Sequence, residues 1–348
     1  MRITQIMLSK GFGGAERSFV DTALALAARG HEVQAICHTQ FIKRGLLENI
    51  PGVRLETIKS GGELDFITPR RIARFIRKFQ PEIVHTQLKR AAWHGGRGAH
   101  MVGVPVVSKL HNYVQLQRYR YVHTLIGTTE DQRQHALNLS WPANRVTVIP
   151  NFSRIKPVDV VRRPESRPLR LLTYGRCVHK KGFDVLLKAF KKLLDSDVDA
   201  ILTIGGSGPE TEVLSTLAET LGVADKVNLG VWIDDVSAAL DQADIFVLPS
   251  RDEPFGIVML EAMARGLPIV TTRTQGPQQV LTNDLAYFVE IDSVESLASG
   301  LLEVANNPVE AENKAAAALD LYRTTYHEDA VLPLFEVLYE SVCTPTEQ

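Results

Sequence analysis

The sequence has few of the residues that cross-link small secreted domains or hold a chain in a bilayer. It contains 3 cysteines among 348 residues, Cys37, Cys177 and Cys343, and their odd number and wide spacing indicate neither a disulfide framework nor a zinc site. No uncharged apolar run reaches the roughly 18 residues that a membrane-spanning helix needs, and the opening MRITQIMLSKGFGG is interrupted too soon for a secretory signal. We therefore expect a protein of the reducing cytoplasm.

Net charge is also nearly absent, at −1, but the charges are divided unevenly along the chain. Residues 1–157 carry 23 Lys and Arg against 10 Asp and Glu, whereas residues 158–348 carry 16 against 30. This asymmetry favours an anionic partner for the first half, such as a membrane surface or a phosphorylated acceptor, although two differently charged solvated surfaces would give the same counts. We expect no nucleic-acid partner.

Short apolar, β-rich runs alternate with helical patterns from one end of the chain to the other. Such alternation is typical of parallel sheets covered by helices on both faces, so we predict an α/β fold of two doubly wound, Rossmann-like domains. The predicted strands of the first half are residues 2–8, 32–38, 82–87, 105–111, 124–129 and 146–150. Those of the second half are residues 169–175, 200–206, 227–232, 245–250, 268–272 and 287–291.

The segment between the two sets of strands has the composition of a linker. Residues 151–168 contain three prolines, few large apolar residues and mixed charge. We place the domain boundary there, with an N-terminal domain of residues 1–157 and a C-terminal domain of residues 158–327. The tail, about residues 328–348, predicts a helix with one buried face. Its apolar positions at helical spacing are Leu332, Phe335, Leu338 and Tyr339.

In doubly wound sheets, ligands lie beyond the carboxyl ends of the strands, where helix N-termini point. The first loop there is SKGFGGAERS, in which Gly13 and Gly14 let the backbone approach a ligand and the next helix offers N–H groups to an anion. Glu16 stands where a dinucleotide fingerprint needs glycine, and no P-loop pattern is present, so neither of these nucleotide sites is expected. A simple tight turn remains an alternative.

Two further loops have features of phosphate binding. In GRCVHKKG, Arg176 and Lys181 bring cations to one loop, as a diphosphate requires, although lysine-rich loops are often only solvated. In GGSGPE, Gly205 and Gly206 would either wrap a nucleotide or make a turn, and the sequence does not choose between the two.

The stretch SRDEPFGIVMLEAMARGLPIV, residues 250–270, places two glutamates around the start of a predicted helix. Pro254 suits the first helical position, and Gly266 ends the helix. On that helix Glu253 and Glu261 would lie about 12 Å apart along the axis and about 80° apart around it, so both would face one elongated ligand. Amides at the positive end of the helix would favour an anion between them, which is the layout of a nucleotide sugar. These amides belong to Gly256, Ile257 and Val258.

The same stretch resembles the Glu-x7-Glu signature of the family 4 retaining glycosyltransferases. GRCVHKKGFDVLLKAF, GGSGPE, VNLGVWIDDV and ADIFVLPSRDEPFG follow in the family's order and spacing, and the N-terminal GGAERS also fits. The resemblance covers nearly the whole chain. It implies the GT-B fold, in which two Rossmann-like domains face each other across a cleft and the C-terminal helix returns to the first domain.

The resemblance also implies a role for each site residue. Glu261 would bind the ribose hydroxyls and Glu253 the transferred sugar. Arg176 and Lys181 would hold the diphosphate and offset charge on the leaving group. His111, in KLHNYV, matches the histidine that contacts the donor sugar, although a lone histidine at a strand end is often only structural. The remaining donor-binding positions are Gly13 and Gly14 beside the phosphates, Gly205 and Gly206 in the glycine-rich loop, the backbone of Val231 and Trp232 at the base, and the amides of Gly256, Ile257 and Val258.

The chain departs from the family pattern at four positions. Gln275 and Gln279 stand where many relatives have glycine and glutamate, and Phe152 and Arg154 stand where the family often has glycine and aspartate after Pro-Asn. If the resemblance holds, these changes would affect the wall of the sugar pocket and the hinge.

The predicted activity is transfer of a sugar, with retention, from a nucleoside diphosphate sugar, first of all a UDP-sugar. The acceptor would be a hydroxyl of an anionic or lipid-linked glycan, such as lipopolysaccharide core or another cell-envelope polysaccharide. Preorganised cations and helix amides can stabilise the leaving diphosphate, so we expect no metal and no other cofactor. The Asp-x-Asp pattern in DSDVDA, residues 195–200, is interpreted as a solvated turn. The resemblance implies domain closure over the donor.

Two basic segments of the first half bear on the acceptor. PRRIARFIRKFQ, residues 69–80, has an apolar stripe flanked by cations, and would either lie on an anionic membrane or pack on its own sheet. VQLQRYRYVH, residues 114–123, adds Arg118 and Arg120 among tyrosines. Together they favour an anionic or lipid-linked acceptor at the inner face of the plasma membrane. The stripe consists of Ile72, Phe75, Ile76 and Phe79.

Two other function classes remain open. A nucleotide-sugar epimerase on the same fold would transfer no sugar to an acceptor. A non-catalytic nucleotide-sugar-binding module would need Glu261, Arg176 and Lys181 but would tolerate loss of Glu253 and His111.

Overall fold

The computed structural model divides into two compact units. The first contains Met1–Arg154 together with the chain from Glu328 onward, and the second is Ile155–His327. The chain thus changes unit within the predicted linker and again at the start of the predicted C-terminal helix. Residues 165 and 166 of that linker and residues 345–348 of that helix lie outside the described residues, which are 1–62, 64–164 and 167–344.

Each unit is built on one parallel sheet. The strands of the first sheet are β1 (Arg2–Met7), β2 (Glu32–His38), β3 (Val53–Ile58), β4 (Ile83–Gln87), β5 (Val106–Lys109), β6 (Thr124–Gly127) and β7 (Val146–Val148). Their order is β3-β2-β1-β4-β5-β6-β7. The strands of the second sheet are β8 (Leu169–Tyr174), β9 (Ala200–Gly205), β10 (Val227–Val231), β11 (Ile245–Leu248), β12 (Ile269–Thr272) and β13 (Tyr287–Val289). Their order is β10-β9-β8-β11-β12-β13.

Helices connect the strands, because parallel neighbours require crossovers. In chain order the α-helices are α1 (Gly14–Ala28), α2 (Ile67–Phe79), α3 (Leu88–His100), α4 (Glu130–Asn138), α5 (Phe183–Asp195), α6 (Thr211–Thr220), α7 (Val236–Asp241), α8 (Ile257–Ala264), α9 (Gln275–Val280), α10 (Val294–Asn306), α11 (Pro308–Leu321) and α12 (Glu328–Cys343).

This architecture confirms the predicted α/β class of two doubly wound, Rossmann-like domains. Each predicted strand overlaps an observed one, but β3 was not predicted. Its sequence VRLETI alternates apolar and polar side chains, and the strand forms one edge of its sheet. An edge strand that is only half-buried lacks the continuous apolar run of the central parallel strands, so the pattern used for the others misses it.

The last helix belongs to the core of the first unit. Phe335 and Tyr339 of α12 are fully buried in one apolar cluster with Ile3, Phe19 and Val107. Burying each such aromatic side chain stabilises the unit by roughly 2–3 kcal/mol. The first unit is therefore completed by residues that follow the second unit in the sequence.

Candidate active site

Two loops at the carboxyl edge of the second sheet are held against each other. The loop after β8 runs through Lys180 to Gly182, and the loop after β11 runs from Pro249 to Glu253. The Arg251 amide donates to Lys180 O at 2.8 Å. Gly182 has φ of 65°, and a Cβ there would overlap Pro249 O, so glycine permits this approach. The contact brings residues from both predicted site motifs together.

The Arg251 side chain fastens both loops. Its guanidinium donates to the two carboxylate oxygens of Asp184 at 2.7 and 2.8 Å and to His179 O at 2.8 Å, and it also pairs with Asp292. The hydrogen bonds to Asp184 raise the pKa of Arg251 above its ordinary value. Sequence reasoning missed this residue, because Asp184 is 67 positions away and no motif links the two.

Lys181 and Glu253 form an ion pair, with Nζ 2.6 Å from Oε2. Both side chains are mostly buried, and Ser250 Oγ lies 3.4 Å from the same Glu253 oxygen. Each charge neutralises the other. An incoming diphosphate would therefore share Lys181 with Glu253.

Arg176 lies on the same loop as Lys181, and its side chain is exposed. Within the described part of the chain it makes no hydrogen bond or ion pair. Its guanidinium can therefore meet a phosphate without breaking an internal contact.

The helix of the Glu-x7-Glu stretch begins later than the sequence predicts. Pro254 precedes the helix, Gly256 caps it with φ of 88° and ψ of 61°, and α8 starts at Ile257. The predicted positions of both glutamates on one helical axis are therefore wrong, because Glu253 lies outside the helix. The cause is Gly256, whose left-handed backbone does not continue an α-helix. The predicted end is confirmed by Gly266, which follows the last turn with φ of 63°.

The N-terminus of α8 still lies beside the ion pair. The amides of Gly256, Ile257 and Val258 begin the helix, where N–H groups have no acceptor one turn back and the helix dipole is positive. A Cβ on Gly256 would lie 3.2 Å from Glu253 Cγ, which shows how close the two features are. An anion is favoured at this end of the helix.

Glu261 is a buried carboxylate, 2% exposed, in an otherwise apolar helix. Tyr174 Oη donates to Glu261 Oε2 at 2.5 Å, which is a short hydrogen bond. Burying a carboxylate without such donors would be costly. Sequence reasoning did not single out Tyr174, because a tyrosine that ends an apolar strand is ordinary.

The glycine-rich turn after β9 has a packing explanation. Gly206 has φ of 95°, and a Cβ there would overlap Gly175 O. A Cβ on Gly205 would overlap the side chain of Ile233. Gly206 therefore lets the loops after β8 and β9 touch, which favours the turn interpretation and helps to place the loop of Arg176. Gly205 makes room for the side chain of Ile233, which follows β10.

Val231 and Trp232 lie at the end of β10, with both side chains exposed. Gly206 N–H donates to Val231 O at 2.8 Å, and Trp232 Nε1 donates to Asp234 Oδ1 at 2.7 Å. One lone pair of Val231 O is therefore occupied. The Trp232 indole adds an aromatic face beside the backbone predicted to meet the base.

The start of α1, in the first unit, differs from the prediction. Gly13 is the N-cap and Gly14 the first residue, and Gly13 N–H donates to Glu16 Oε2 at 3.0 Å. The prediction that this helix end offers N–H groups to an anion therefore does not hold for the Gly13 N–H. Glu16 satisfies one of them as in a capping box, and its own charge disfavours a second anion at this helix end.

His111 follows β5, with Nε2 3.0 Å from Gln87 Oε1. Burial, together with the nearby Lys109 and His85, holds the pKa of His111 well below its ordinary value. The imidazole is therefore neutral at pH 7. Since the Gln87 oxygen only accepts, Nε2 donates to it and Nδ1 is left as an acceptor.

The apolar stripe of α2 packs on its own sheet. Ile72, Ile76 and Phe79 are buried, and Phe75 is half-buried. The interpretation in which this stripe lies on a membrane is therefore wrong. The cations of α2 are exposed, and they are Arg70, Arg71, Arg74, Arg77 and Lys78.

A second apolar group lies at the start of α2 and is in solvent. Leu64 is 83% exposed, Phe66 54% and Ile67 68%. Arg97 Cζ lies 5.3 Å from the Phe66 ring centroid and 5.2 Å from that of Trp93. We call these three apolar side chains and the five cations of α2 the α2 patch.

Arg118 and Arg120 of the second basic segment also contact Trp93. Their Cζ atoms lie 4.9 and 4.8 Å from its ring centroid. Cation–π contacts of this kind hold guanidinium groups close together on the surface. The segment therefore adds positive charge near the α2 patch, because Arg97 contacts both Trp93 and Phe66.

The predicted solvated turn of the Asp-x-Asp pattern follows α5, which ends at Asp195, and Asp197 there has φ of 60°. Among residues 1–62, 64–164 and 167–344, no three His, Cys, Asp or Glu side chains gather as metal ligands. No helix in that part of the chain has the length and apolar character needed to cross a bilayer.

Two family models match the sequence, one in each unit. The model described as Glycosyltransferase Family 4 matches residues 12–153, and the model described as Glycosyl transferases group 1 matches residues 159–319.

Curated relatives and solved structures are similar over nearly the full length. The lipopolysaccharide core biosynthesis glycosyltransferase LpsD of Rhizobium meliloti is 29% identical over 94% of this chain and 95% of its own. LpsE of the same organism is 29% identical over 87% and 88%. Anabaena HepE, solved in complex with UDP, has a TM-score of 0.83 at 17% identity, covering 98% of this chain and 100% of its own. A glycosyltransferase from Rickettsia africae has a TM-score of 0.85 at 19% identity, covering 99% of each. The fold is thus that of GT-B structures.

Proposed function

This chain belongs to the family 4 glycosyltransferases, and from that premise we propose that it transfers a sugar from a UDP-sugar to an anionic or lipid-linked glycan with retention of anomeric configuration. The observation that carries the proposal is the Lys181–Glu253 pair at the N-terminus of α8, the helix that also holds Glu261. This edge of the second sheet combines cations and free amides for a diphosphate with carboxylates for hydroxyls.

Each side chain has a distinct part in donor binding. Arg176 and Lys181, with the first amides of α8, hold the diphosphate and stabilise charge on the leaving group. Glu261 accepts from the ribose hydroxyls, and Glu253, which shares Lys181 with the diphosphate, accepts from the sugar. The chain around Trp232 meets the base. UDP is favoured because the structurally similar HepE was solved with UDP.

His111 contacts the donor sugar in this proposal. Its neutral imidazole, held by Gln87 through Nε2, presents Nδ1 as an acceptor for a sugar hydroxyl. Retention is taken from the family resemblance. Proton NMR of the first product formed, before any mutarotation or hydrolysis, distinguishes retention from inversion.

The acceptor is proposed from charge and from relatives. Exposed cations on α2 and in the segment of Arg118 and Arg120 suit phosphate or carboxylate groups. LpsD and LpsE are named for lipopolysaccharide core biosynthesis. We therefore place the enzyme in the cytoplasm at the inner membrane face, acting without a metal on a lipopolysaccharide-core-like or other cell-envelope glycan.

The α2 patch is the proposed membrane contact. Exposed apolar side chains beside cations suit an anionic surface, where each cation contributes about 1 kcal/mol. We expect flotation with vesicles containing phosphatidylglycerol but not with pure phosphatidylcholine. Replacing Arg71 and Arg74 by Glu should weaken binding at least tenfold, whereas Arg133→Glu on α4, a single charge reversal outside the patch, should bind nearly as the natural chain does. No preference for anionic vesicles would contradict this part of the proposal.

Turnover assays distinguish sugar transfer from the two alternative functions, an epimerase and a non-catalytic binding module. With donor and deacylated lipopolysaccharide core, Glu253→Gln and His111→Ala should keep UDP affinity within a few-fold and lose transfer. An epimerised nucleotide sugar without UDP release would identify an epimerase instead. If both variants bind UDP as the natural chain does, and no chain turns over the donor, the protein is a binding module.

A further inference from the structure

The Glu261 carboxylate is placed where water reaches little of it. The side chain is 2% exposed, and its neighbours Leu260 and Ala262 are fully buried. A carboxylate in such surroundings needs hydrogen-bond donors, which also orient it. The position of its oxygens therefore depends on which donors the fold supplies.

Tyr174 supplies one donor from a rigid position. It is the last residue of β8, and its ring packs edge-on against Phe246 of β11, with centroids 5.5 Å apart and planes at 66°. The strand and this packing hold Oη, which donates to Glu261 Oε2 at 2.5 Å. The short bond therefore holds one carboxylate oxygen of α8 relative to the sheet.

We infer that Tyr174 is a positioning residue for nucleotide recognition, which holds Glu261 so that its remaining lone pairs accept from the ribose hydroxyls. The inference rests on the proposed function, in which Glu261 binds the ribose. A carboxylate has about four lone-pair sites, so an oxygen that Tyr174 holds can still accept from a hydroxyl donor. Because the ribose is unchanged during transfer, Tyr174 contributes to donor affinity and not to the chemical step.

The effect of Tyr174 is confined to the ribose. Without its hydroxyl, Glu261 loses the bond that holds Oε2 in the position that the ribose needs. Affinity for a ribonucleoside diphosphate then falls, whereas affinity for a nucleotide that lacks both ribose hydroxyls hardly changes. A tyrosine that only stabilised the fold would change both affinities equally.

The test is titration calorimetry of UDP and 2′,3′-dideoxy-UDP against the natural chain, Tyr174→Phe, Glu261→Gln and Tyr287→Phe. Tyr287→Phe is the matched control, because it removes a buried tyrosine hydroxyl from the same unit, and that hydroxyl has no hydrogen-bond partner in the described residues. If the natural chain prefers GDP, ADP or TDP, that nucleotide and its dideoxy form take the place of UDP.

We expect the natural chain to bind UDP roughly tenfold tighter than the dideoxy form. Tyr174→Phe should lower UDP affinity roughly tenfold and bring the ratio near one, and Tyr287→Phe should change neither affinity. Equal weakening of both nucleotides by Tyr174→Phe, or no weakening, overturns the inference. If Glu261→Gln keeps the natural chain's ratio of UDP affinity to dideoxy-UDP affinity, the proposed role of Glu261 in ribose binding is overturned. The same holds if the natural chain binds none of the four nucleotides.

Discussion

The Lys181–Glu253 pair tests the donor site at the scale of single residues. Lys181→Met leaves the Glu253 carboxylate mostly buried without its cation, so stability should fall by about 2 kcal/mol and UDP affinity should fall roughly 100-fold. The double variant Lys181→Met/Glu253→Gln should recover most of the stability but none of the affinity. Thermal unfolding and UDP titration measure the two effects. Full affinity in the double variant would contradict the assignment of Lys181 to the diphosphate.

Lys109 gives a pH test in the first unit. Its ammonium is fully buried, donates to Pro150 O at 3.1 Å and lies 5.1 Å from the Phe335 ring centroid, and burial lowers its pKa to about 7. The unfolded chain, with a Lys pKa near its ordinary value of about 10.4, binds more protons between pH 7 and 10. This lysine therefore adds stability as the pH rises through that range.

Lys109→Met removes this titration. The free energy of unfolding of the variant, minus that of the natural chain, should be larger at pH 7 than at pH 9.5. Between these pH values the difference should fall by up to about 1.4 kcal/mol per pH unit. Urea unfolding at both pH values gives the difference in free energy of unfolding. A difference that does not depend on pH would show that Lys109 titrates normally.

At this scale the sequence predicts charges better than contacts. The apolar neighbours of Glu261 show that its carboxylate is buried, and the cations of Arg176 and Lys181 are visible in one loop. Tyr174 and Arg251 could not be found, because their partners are 87 and 67 positions away. Such contacts depend on which strands become neighbours.

At the scale of elements, α2 depends on the side chain that precedes it. Asp65 accepts from the amides of Gly61, Ile67 and Thr68 at 2.8, 2.8 and 3.0 Å and from Thr68 Oγ1 at 2.5 Å. Burial raises the pKa of Asp65, but these hydrogen bonds outweigh it and hold the pKa below its ordinary value. The bonds therefore stabilise the start of α2 above about pH 4, and this stabilisation is lost as the pH falls towards the folded-state pKa.

Asp65→Ala should lower the local stability of α2 by about 1–2 kcal/mol at pH 7. Asp65→Asn, which keeps a neutral acceptor, should lower it less. The gap between the natural chain and Asp65→Asn should narrow below pH 4. Hydrogen exchange of α2 amides measures all three chains, and equal protection in Asp65→Ala would contradict this account of the helix start.

Two elements show that a sequence pattern predicts the presence of a helix or strand more reliably than its first and last residues. α8 was predicted to start at Pro254, but the left-handed Gly256 delays it to Ile257. β3 was missed because an edge strand has no continuous apolar run. In both cases a local conformation or a position in the sheet decides, and neither is encoded in hydrophobic spacing.

At the scale of the whole molecule, α12 completes the first unit although the second unit separates it in the sequence. Phe335→Ala should cost about 3–5 kcal/mol and weaken protection of β1 and β4, because the residue is fully buried in their core. Val337→Ala on the same helix, where the side chain is 66% exposed, should change stability by under about 0.5 kcal/mol. Hydrogen exchange measures the protection of backbone amides in both units. Loss of protection in β8 and β9 instead of β1 would contradict this division.

The alternation of strands and helices was enough to predict the class of both domains, because parallel sheets need crossovers. The acceptor is less determined, since charge on the first unit suits any polyanion. The placement of α12 followed from the family resemblance, not from its periodicity, which says only that one face is buried.

The central claim is that a diphosphate binds where Lys181, Arg176 and the N-terminus of α8 meet, with the ribose at Glu261. A crystal of this protein soaked with UDP tests it most directly. The account predicts diphosphate oxygens within hydrogen-bond distance of Lys181 Nζ and the Ile257 or Val258 amide, and ribose hydroxyls on the Glu261 carboxylate. UDP bound elsewhere, with Lys181 still paired only to Glu253, would contradict it.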